Sequence, residues 1–216
     1  MSNEPSPDPE ETSAELREAS ELEKADVELG TKLAQNRDHP AAKAAGQASK
    51  IGDQGPLYVI SAGVLIIGFC RRDRRLASTG LSMLAAVAAA DLSKSLTKNL
   101  VRRTRPHLLL DEGRYASDAG GSERKPEQSF PSGHTAGSVA AARALSRTYP
   151  AGGALSGIAA VAIGVARLFK GSHWPLDVFG GAVIGLAAEA LSSALLRFSF
   201  ESVRASQKMR RDEKKW

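Results

Sequence analysis

Long apolar blocks alternate with short polar segments along this chain, and the spacing of the blocks predicts helices. The five blocks run from Leu57 to Cys70, Leu76 to about Leu96, His134 to Tyr149, Ala154 to Phe169, and Val178 to Phe198. Several are shorter than the roughly 20 apolar residues of a free-standing membrane span. Charged residues interrupt them at Asp91, Arg143 and Glu189. A buried helix of a soluble bundle is therefore the alternative to a span.

Small residues favour the membrane interpretation over the soluble bundle. The apolar blocks are rich in Ala and Gly, and Gly181 and Gly185 have the small-xxx-small spacing. Such residues allow close contact between helices inside a membrane. We therefore predict an all-α fold, a membrane-embedded bundle of about five spanning helices.

Polar segments flank the apolar region and divide the chain into three parts. Residues 1–20 have the low hydrophobicity and high charge of a disordered tail. From Glu21 to Lys50 a weak apolar pattern predicts one or two polar or interfacial helices, broken near Pro40, with a partner-binding helix as the alternative. The predicted parts are an acidic N-terminal extension over 1–50, a helical bundle over 51–200 and a basic tail over 201–216. No signal peptide is visible at the start.

The charge pattern adds a predicted orientation. The net charge is +5, and basic residues cluster beside apolar blocks at Arg71–Arg75 and Lys208–Lys215. Lipid headgroups or phosphate explain these clusters better than nucleic acid, so no nucleic-acid partner is expected. The positive-inside tendency places both clusters on the cytoplasmic face. Cys70 is the single cysteine, which excludes an intrachain disulfide and a Cys-based metal cage.

The first candidate cluster follows the second apolar block. Lys98 and Arg105 are seven positions apart, so on one helix they would lie two turns apart on one face and could both reach one anion. The alternative is a basic cluster that only contacts lipid headgroups. The polar connection from His107 to Phe130 has the length of a functional or disordered loop.

The second cluster, Ser132-Gly133-His134, opens the third block. Ser132 is a candidate N-cap, and Gly133 removes side-chain bulk where an anion must approach the backbone. Backbone N–H groups at a helix start form a phosphate site, beside which His134 is a candidate proton donor. An ordinary capped helix start is the alternative.

The third cluster runs from Arg167 through His173 to Asp177. Pro175 fits the first turn of the last helix and places Asp177 in that turn. Asp177 could accept a hydrogen bond from one ring nitrogen of His173, which leaves the other nitrogen free to attack. Two histidines and an aspartate could also bind a metal, but neighbouring Lys and Arg side chains would repel the ion.

Together the three clusters resemble the signature of the type 2 phosphatidic acid phosphatase superfamily. That signature reads Lys-x6-Arg-Pro, then Pro-Ser-Gly-His, then Ser-Arg-x5-His-x3-Asp. Every spacing matches here, from Lys98 to Asp177, over a resemblance that spans roughly residues 55–198. Ala166 replaces the serine of the third motif and removes a hydroxyl that could assist phosphate binding.

The resemblance implies a metal-independent lipid phosphatase of all-helical fold that needs no cofactor. His173 would form a phosphohistidine, Asp177 would hold its tautomer, and His134 would act as general acid and then base. The implied phosphate-binding residues are Lys98, Arg105, Ser132, Gly133 and Arg167.

The resemblance leaves the substrate open among phosphorylated lipids. Candidates are polyprenyl phosphate or diphosphate, phosphatidate and phosphatidylglycerol phosphate. The short chain resembles bacterial members, which implies the inner membrane with the site facing outward. The rival functions are a vanadium-dependent haloperoxidase and a non-catalytic membrane protein that binds anionic lipid. The oligomeric state is left open.

Overall fold

The computed structural model describes residues 9–213, and helices dominate them. The helices are α1 (Pro9–Glu18), α2 (Glu21–Ala34), α3 (Pro40–Ala48), α4 (Gln54–Cys70), α5 (Arg74–Lys98), α6 (Pro106–Glu112), α7 (Gly133–Ser146), α8 (Pro150–Phe169) and α9 (Pro175–Glu213). Two 3-10 turns occupy Ser49–Gly52 and Lys125–Glu127. A small antiparallel pair joins β1 (Val101–Arg103) to β2 (Ser117–Ala119), with Arg102 opposite Asp118. The predicted all-α fold class is confirmed.

Helix α7 lies at the centre of the bundle, between α5, α8 and α9. Five of its eight buried residues are alanines, which pack against side chains of its neighbours. The core cluster comprises Leu57, Met83, Ala86, Val87, Ala90, Ala136, Ala140, Ala141, Ala144 and Ala188. Because alanine side chains are short, the helix axes approach closely, and dispersion contacts between the helices stabilise the bundle.

Glycines bring α9 into direct backbone contact with α7. A Cβ atom at Gly181 would collide with the carbonyl oxygen of Ser132, and one at Gly185 would collide with that of Ala136. The small-residue spacing therefore marks a real helix contact. This contact places the first turns of α7 and α9 side by side, and both turns carry residues of the candidate site.

Within residues 9–213, three helices are long and apolar enough to cross a membrane: α5, α8 and the Pro175–Ser202 part of α9. A fourth span results if Pro40–Gly52 and Gln54–Cys70, which meet at a 49° bend, cross together. The number is lower than the expected five because α7 has only 14 residues and α4, with 17, qualifies only together with the bent segment before it. Apolar side chains are exposed on the outer faces, as lipid contact requires; they include Val59, Ile66, Phe69, Leu155, Phe179 and Phe198.

Residues 9–18 are helical, although the sequence predicts a disordered tail over residues 1–20. Residues 1–8 lie outside the described part, but α1 follows directly, and the backbone N–H of Tyr115 donates to the Thr12 hydroxyl at 2.9 Å. Leu16 packs beside a buried cluster formed by Val27, Tyr115 and Trp174. These distant contacts hold α1, and composition alone does not reveal them. The expected break falls between α2 and α3.

The two ends of the bundle differ in what they carry. The ends of α5 and α8 and the starts of α7 and α9 meet at one end, together with the three motifs. At the opposite end, Arg75 donates to the carbonyl oxygen of Thr148 at 2.5 Å and lies over the ring of Tyr149. Helix α9 continues toward this opposite end through most of the predicted 201–216 tail. The side of the membrane that each end faces stays a prediction.

Candidate active site

A cavity of about 500 Å³ opens at the end of the bundle where the three motifs meet. Six of the eight predicted site residues line it: Lys98, Arg105, Gly133, His134, Arg167 and His173. The other two, Ser132 and Asp177, are fully buried behind its wall. The fold thus brings together motifs that are separated by tens of residues in the chain.

The three cationic side chains that the motifs predict all reach the cavity, each from a different part of the fold. Lys98 ends α5 and donates from Nζ to the carbonyl oxygen of Gln128 at 2.7 Å. Arg105 precedes α6, and Arg167 lies in the last turn of α8. The expected placement of Lys98 and Arg105 on one helical face is wrong, because α5 stops at Lys98 and the chain passes through β1 before Arg105. Their convergence comes from this turn of the chain.

The two arginines each keep an unused donor. The Nε atoms of Arg105 and Arg167 are buried and have no hydrogen-bond partner among the described residues. Buried polar groups are nearly always paired, and guanidinium groups match the oxygens of phosphate. An anion in the cavity would satisfy these donors.

The start of α7 has the predicted cap position but not the predicted cap bond. Ser132 is the N-cap residue, yet its hydroxyl accepts from the hydroxyl of Thr135 at 3.0 Å and makes no bond to a backbone N–H. Its own backbone N–H donates to the carbonyl oxygen of Asp177 at 3.0 Å. The first-turn N–H groups of α7 thus begin at Gly133, which lines the cavity. A side chain at Gly133 would meet that of Lys94.

His173 is buried, and one of its ring nitrogens is committed to the protein. Its Nδ1 lies 2.8 Å from the carbonyl oxygen of Ser129. A carbonyl oxygen can only accept, so Nδ1 carries the proton and Nε2 has a free lone pair in the neutral ring. Burial lowers the pKa of His173 to about 4, so the ring is neutral at neutral pH. The tautomer is the one that a nucleophile requires.

Asp177 acts on His173 through Ser129 and not by the expected direct bond. Its Oδ2 is 3.7 Å from Nδ1 of His173, too far for a hydrogen bond. That oxygen instead accepts from the Ser129 hydroxyl at 2.5 Å and from the Trp174 backbone N–H at 2.8 Å. The other oxygen accepts from Arg103 at 2.9 Å. Ser129 and Arg103 were not predicted, and only the polarity of the connection before the second motif marks Ser129.

His134 stands in the first turn of α7, with Asp53 as its nearest acidic neighbour. Its Nε2 lies 2.5 Å from Oδ1 of Asp53, although the two groups are not aligned as a hydrogen bond. Burial, followed by the positive charge of Arg167, lowers the pKa of His134 to about 3. His134 is therefore neutral in the free site. Asp53 lies outside the three motifs, and sequence reasoning missed it.

The sequence of this chain matches the model of a known protein family. The sequence model of the PAP2 superfamily matches residues 79–201, which is more than half of the chain. The chain belongs to the PAP2 superfamily. The matched region contains all three motifs, from Lys98 to Asp177, whereas Asp53 lies before it.

Two solved structures have the same PAP2 fold. The crystal structure of LpxE from Aquifex aeolicus is 24% identical, with a TM-score of 0.54, and the match covers 77% of this chain and 93% of that chain. A transmembrane PAP2 type phosphatidylglycerolphosphate phosphatase from Bacillus subtilis is 19% identical, with a TM-score of 0.57 over 88% and 96% of the two chains. No curated protein matches this chain. At these identities the two structures establish the fold.

Proposed function

We propose that this PAP2 protein is a metal-independent phosphatase that hydrolyses a phosphate ester or diphosphate of a membrane lipid through a phosphohistidine. One arrangement supports this function above all. A buried histidine, His173, commits Nδ1 to Ser129 and lines a cavity in which three fixed cations converge. This is the geometry of a nucleophile beside a phosphate site.

The first step transfers the phosphoryl group to the protein. Nε2 of His173 attacks phosphorus, the P–N bond forms, and the bond from phosphorus to the leaving oxygen breaks. His134 protonates that oxygen. Since His134 is neutral in the free site, it takes up its proton when the negative phosphate arrives nearby and favours the imidazolium form.

The second step frees His173 and releases phosphate. His134, now neutral, accepts a proton from water, the water oxygen attacks phosphorus, and the P–N bond breaks to release phosphate. Lys98, Arg105 and Arg167 stabilise the charge on the pentacoordinate phosphorus. Fixed donors of this kind contribute much of the catalysis, and the loss of one typically reduces the rate by about 10²–10³.

The charge around the cavity also argues against a metal. A divalent cation would be repelled by Lys98, Arg105 and Arg167. Asp177 would be a poor ligand, because its two oxygens already accept from Ser129, Trp174 and Arg103.

The surface of the bundle supports a lipid substrate. The cavity lies at the end of helices whose outer faces expose large apolar side chains, so a phosphate on a lipid tail could enter while its tail stays among lipids. The candidates remain polyprenyl phosphate or diphosphate, phosphatidate and phosphatidylglycerol phosphate. The last is the substrate named for the Bacillus subtilis neighbour. We place the protein in a bacterial inner membrane with this site facing outward.

The test is phosphate release by the detergent-purified protein from each of these lipids in the presence of EDTA. We expect release from at least one lipid and none from the His173→Ala variant. His39→Ala, at an exposed position at the start of α3, is the matched histidine control and should retain full activity. Release by a folded His173→Ala protein would contradict the nucleophile. Activity lost in EDTA and restored by a divalent ion would contradict the metal-independent reaction.

A further inference from the structure

We infer that Asp26, on α2, is a positioning residue of the active site, which acts on Asp177 through Arg103. This inference rests on the proposed function for the role of His173. Asp26 belongs to the N-terminal segment that precedes the PAP2 match, so the segment contributes a contact that the three motifs do not contain.

Asp26 differs from the charged residues around it on α2. Its side chain is only 2% exposed, whereas Glu28 and Lys32 form an exposed ion pair on the same helix. Burial of a carboxylate is costly unless both of its oxygens have partners. Here Oδ1 accepts from the backbone N–H of Leu176 at 2.7 Å, and Oδ2 accepts from Arg103 at 2.6 Å.

Arg103 joins Asp26 to the candidate site. It is 5% exposed and lies between two carboxylates, with one terminal nitrogen on Asp26 and the other 2.9 Å from Oδ1 of Asp177. The nitrogen that faces Asp26 is also 3.3 Å from the hydroxyl of Tyr115. Because the guanidinium is planar and rigid, the terminal nitrogen held by Asp26 determines where the other terminal nitrogen meets Asp177.

The contacts continue from Asp177 to the nucleophile. Asp177 accepts from the Ser129 hydroxyl, and the Ser129 carbonyl oxygen accepts from Nδ1 of His173. Without Asp26, Arg103 would be free to turn both terminal nitrogens toward Asp177, the bidentate geometry that guanidinium and carboxylate prefer. This turn would draw Asp177 away from Ser129 and loosen the orientation of His173.

Asp26 also fixes the start of the helix that carries Asp177. Its bond to the Leu176 backbone holds the residue next to Asp177, in the first turn of α9. Helix α2 is closely packed there, since a side chain at Gly30 would collide with the ring of Trp174. A packing role for α2 is therefore the competing explanation, and the experiment must separate the two.

The experiment compares Asp26→Ala and Asp26→Asn with the wild-type protein and with Glu28→Gln, a matched control on the same helix. It measures kcat and KM on the panel lipid that is hydrolysed fastest, and the binding of orthovanadate and inorganic phosphate by calorimetry. Orthovanadate mimics the pentacoordinate phosphorus and binds through His173, whereas inorganic phosphate depends mainly on Lys98, Arg105 and Arg167.

We expect Asp26→Ala to lower kcat on the order of 10–100-fold, the usual effect of removing a partner that orients a site residue. KM and phosphate affinity should stay near the wild-type values, while orthovanadate affinity falls. Asp26→Asn should lose less, since its carbonyl oxygen can still accept from Leu176. Glu28→Gln should be unchanged.

Two results would overturn the inference. The first is that kcat and orthovanadate binding are unchanged in Asp26→Ala. The second is that kcat, phosphate affinity and melting temperature all fall together, which indicates packing alone. The ratio of orthovanadate to phosphate affinity does not require turnover. It therefore tests Asp26 even if the wild-type protein hydrolyses none of the lipids, a result that would count against the proposed function instead.

Discussion

The two histidines of the cavity are held in opposite ways. The side chain of His173 is 3% exposed, and its Nδ1 is bound to a backbone carbonyl that Asp177 secures through Ser129. The side chain of His134 is 17% exposed, and its carboxylate neighbour, Asp53, is 44% exposed and not aligned with it. The proposed nucleophile is thus fixed in advance, whereas the protonation of His134, the proposed general acid, depends on what occupies the cavity.

This difference follows from where each network lies. The groups around His173 are buried, so each hydrogen bond is strong and each lost partner is costly. The groups around His134 face the cavity, where solvent screens their charges and where the substrate brings its own negative charge. A rigid His173 and an adjustable His134 are suited to the proposed reaction, in which His134 first gives a proton and then accepts one.

Among the variants that distinguish the roles of the two histidines, His134→Ala should have the largest effect on the turnover rate. This variant should lose about 10²–10⁴ of the turnover rate, the usual contribution of a general acid or base. The rate of the first step, phosphoryl transfer to His173, should fall less for p-nitrophenyl phosphate than for a lipid, because a good leaving group needs no proton. An acid-labile phosphoenzyme should therefore accumulate in His134→Ala. Rapid quench with labelled substrate measures it.

His173→Ala provides the contrast, since it should form no phosphoenzyme with either substrate. Equal losses for both leaving groups in His134→Ala would show that His134 does not protonate the leaving oxygen. His39→Ala serves again as the control for the removal of an imidazole.

A smaller effect is expected from Ser129→Ala, which tests how the nucleophile is fixed. The variant keeps the carbonyl that accepts from His173 but removes the hydroxyl that donates to Asp177. Loss of a hydrogen bond to a buried charged group costs about 1.5–3 kcal/mol. We therefore expect kcat to fall roughly 10–100-fold, by steady-state phosphate release, with little change in KM.

Ser122→Ala is the matched control, because Ser122 lies in the same connection and its hydroxyl donates to Glu127, away from His173. Wild-type kcat in Ser129→Ala would mean that the backbone alone orients His173 and that Asp177 has another role.

The helix pattern and the motif spacing are both local signals, so the sequence predicts the helices well and selects residues that lie close together in the structure. The fourth apolar block begins at Ala154 and ends at Phe169, and α8 covers Pro150–Phe169. The spacing within each motif selects residues that one turn or one helix end brings together. The packing of α5, α7, α8 and α9 then brings six of the eight selected residues to one cavity.

Partners that are distant in the chain leave no such signal. Arg103 is 77 positions from Asp26 and 74 from Asp177, and Leu176 is 150 positions from Asp26. No periodicity links such residues, and an aspartate on a polar helix has the pattern of a solvated one. The same reason explains why α1 was expected to be disordered, since Thr12 finds its partner at Tyr115.

The smallest expected effect is a shift in the pH profile of Asp53→Asn, which tests what controls the protonation of His134. In the substrate complex, kcat should fall as the pH rises through the pKa of His134, because the general acid is then deprotonated. The negative charge of Asp53, 2.5 Å from Nε2, favours the protonated ring. Its removal lowers that pKa, so the alkaline limb of kcat should move to lower pH.

The shift should be about one pH unit or less, since Asp53 is partly exposed and solvent weakens its charge. Asp91→Asn is the matched control: Asp91 also lines the cavity, but it pairs with Lys94 and should leave the limb in place. A limb that stays fixed in Asp53→Asn, or moves to higher pH, would show that the substrate alone sets the protonation of His134. Movement to lower pH in Asp53→Asn only would establish that His134, unlike His173, is tuned by a carboxylate that lies outside the three motifs.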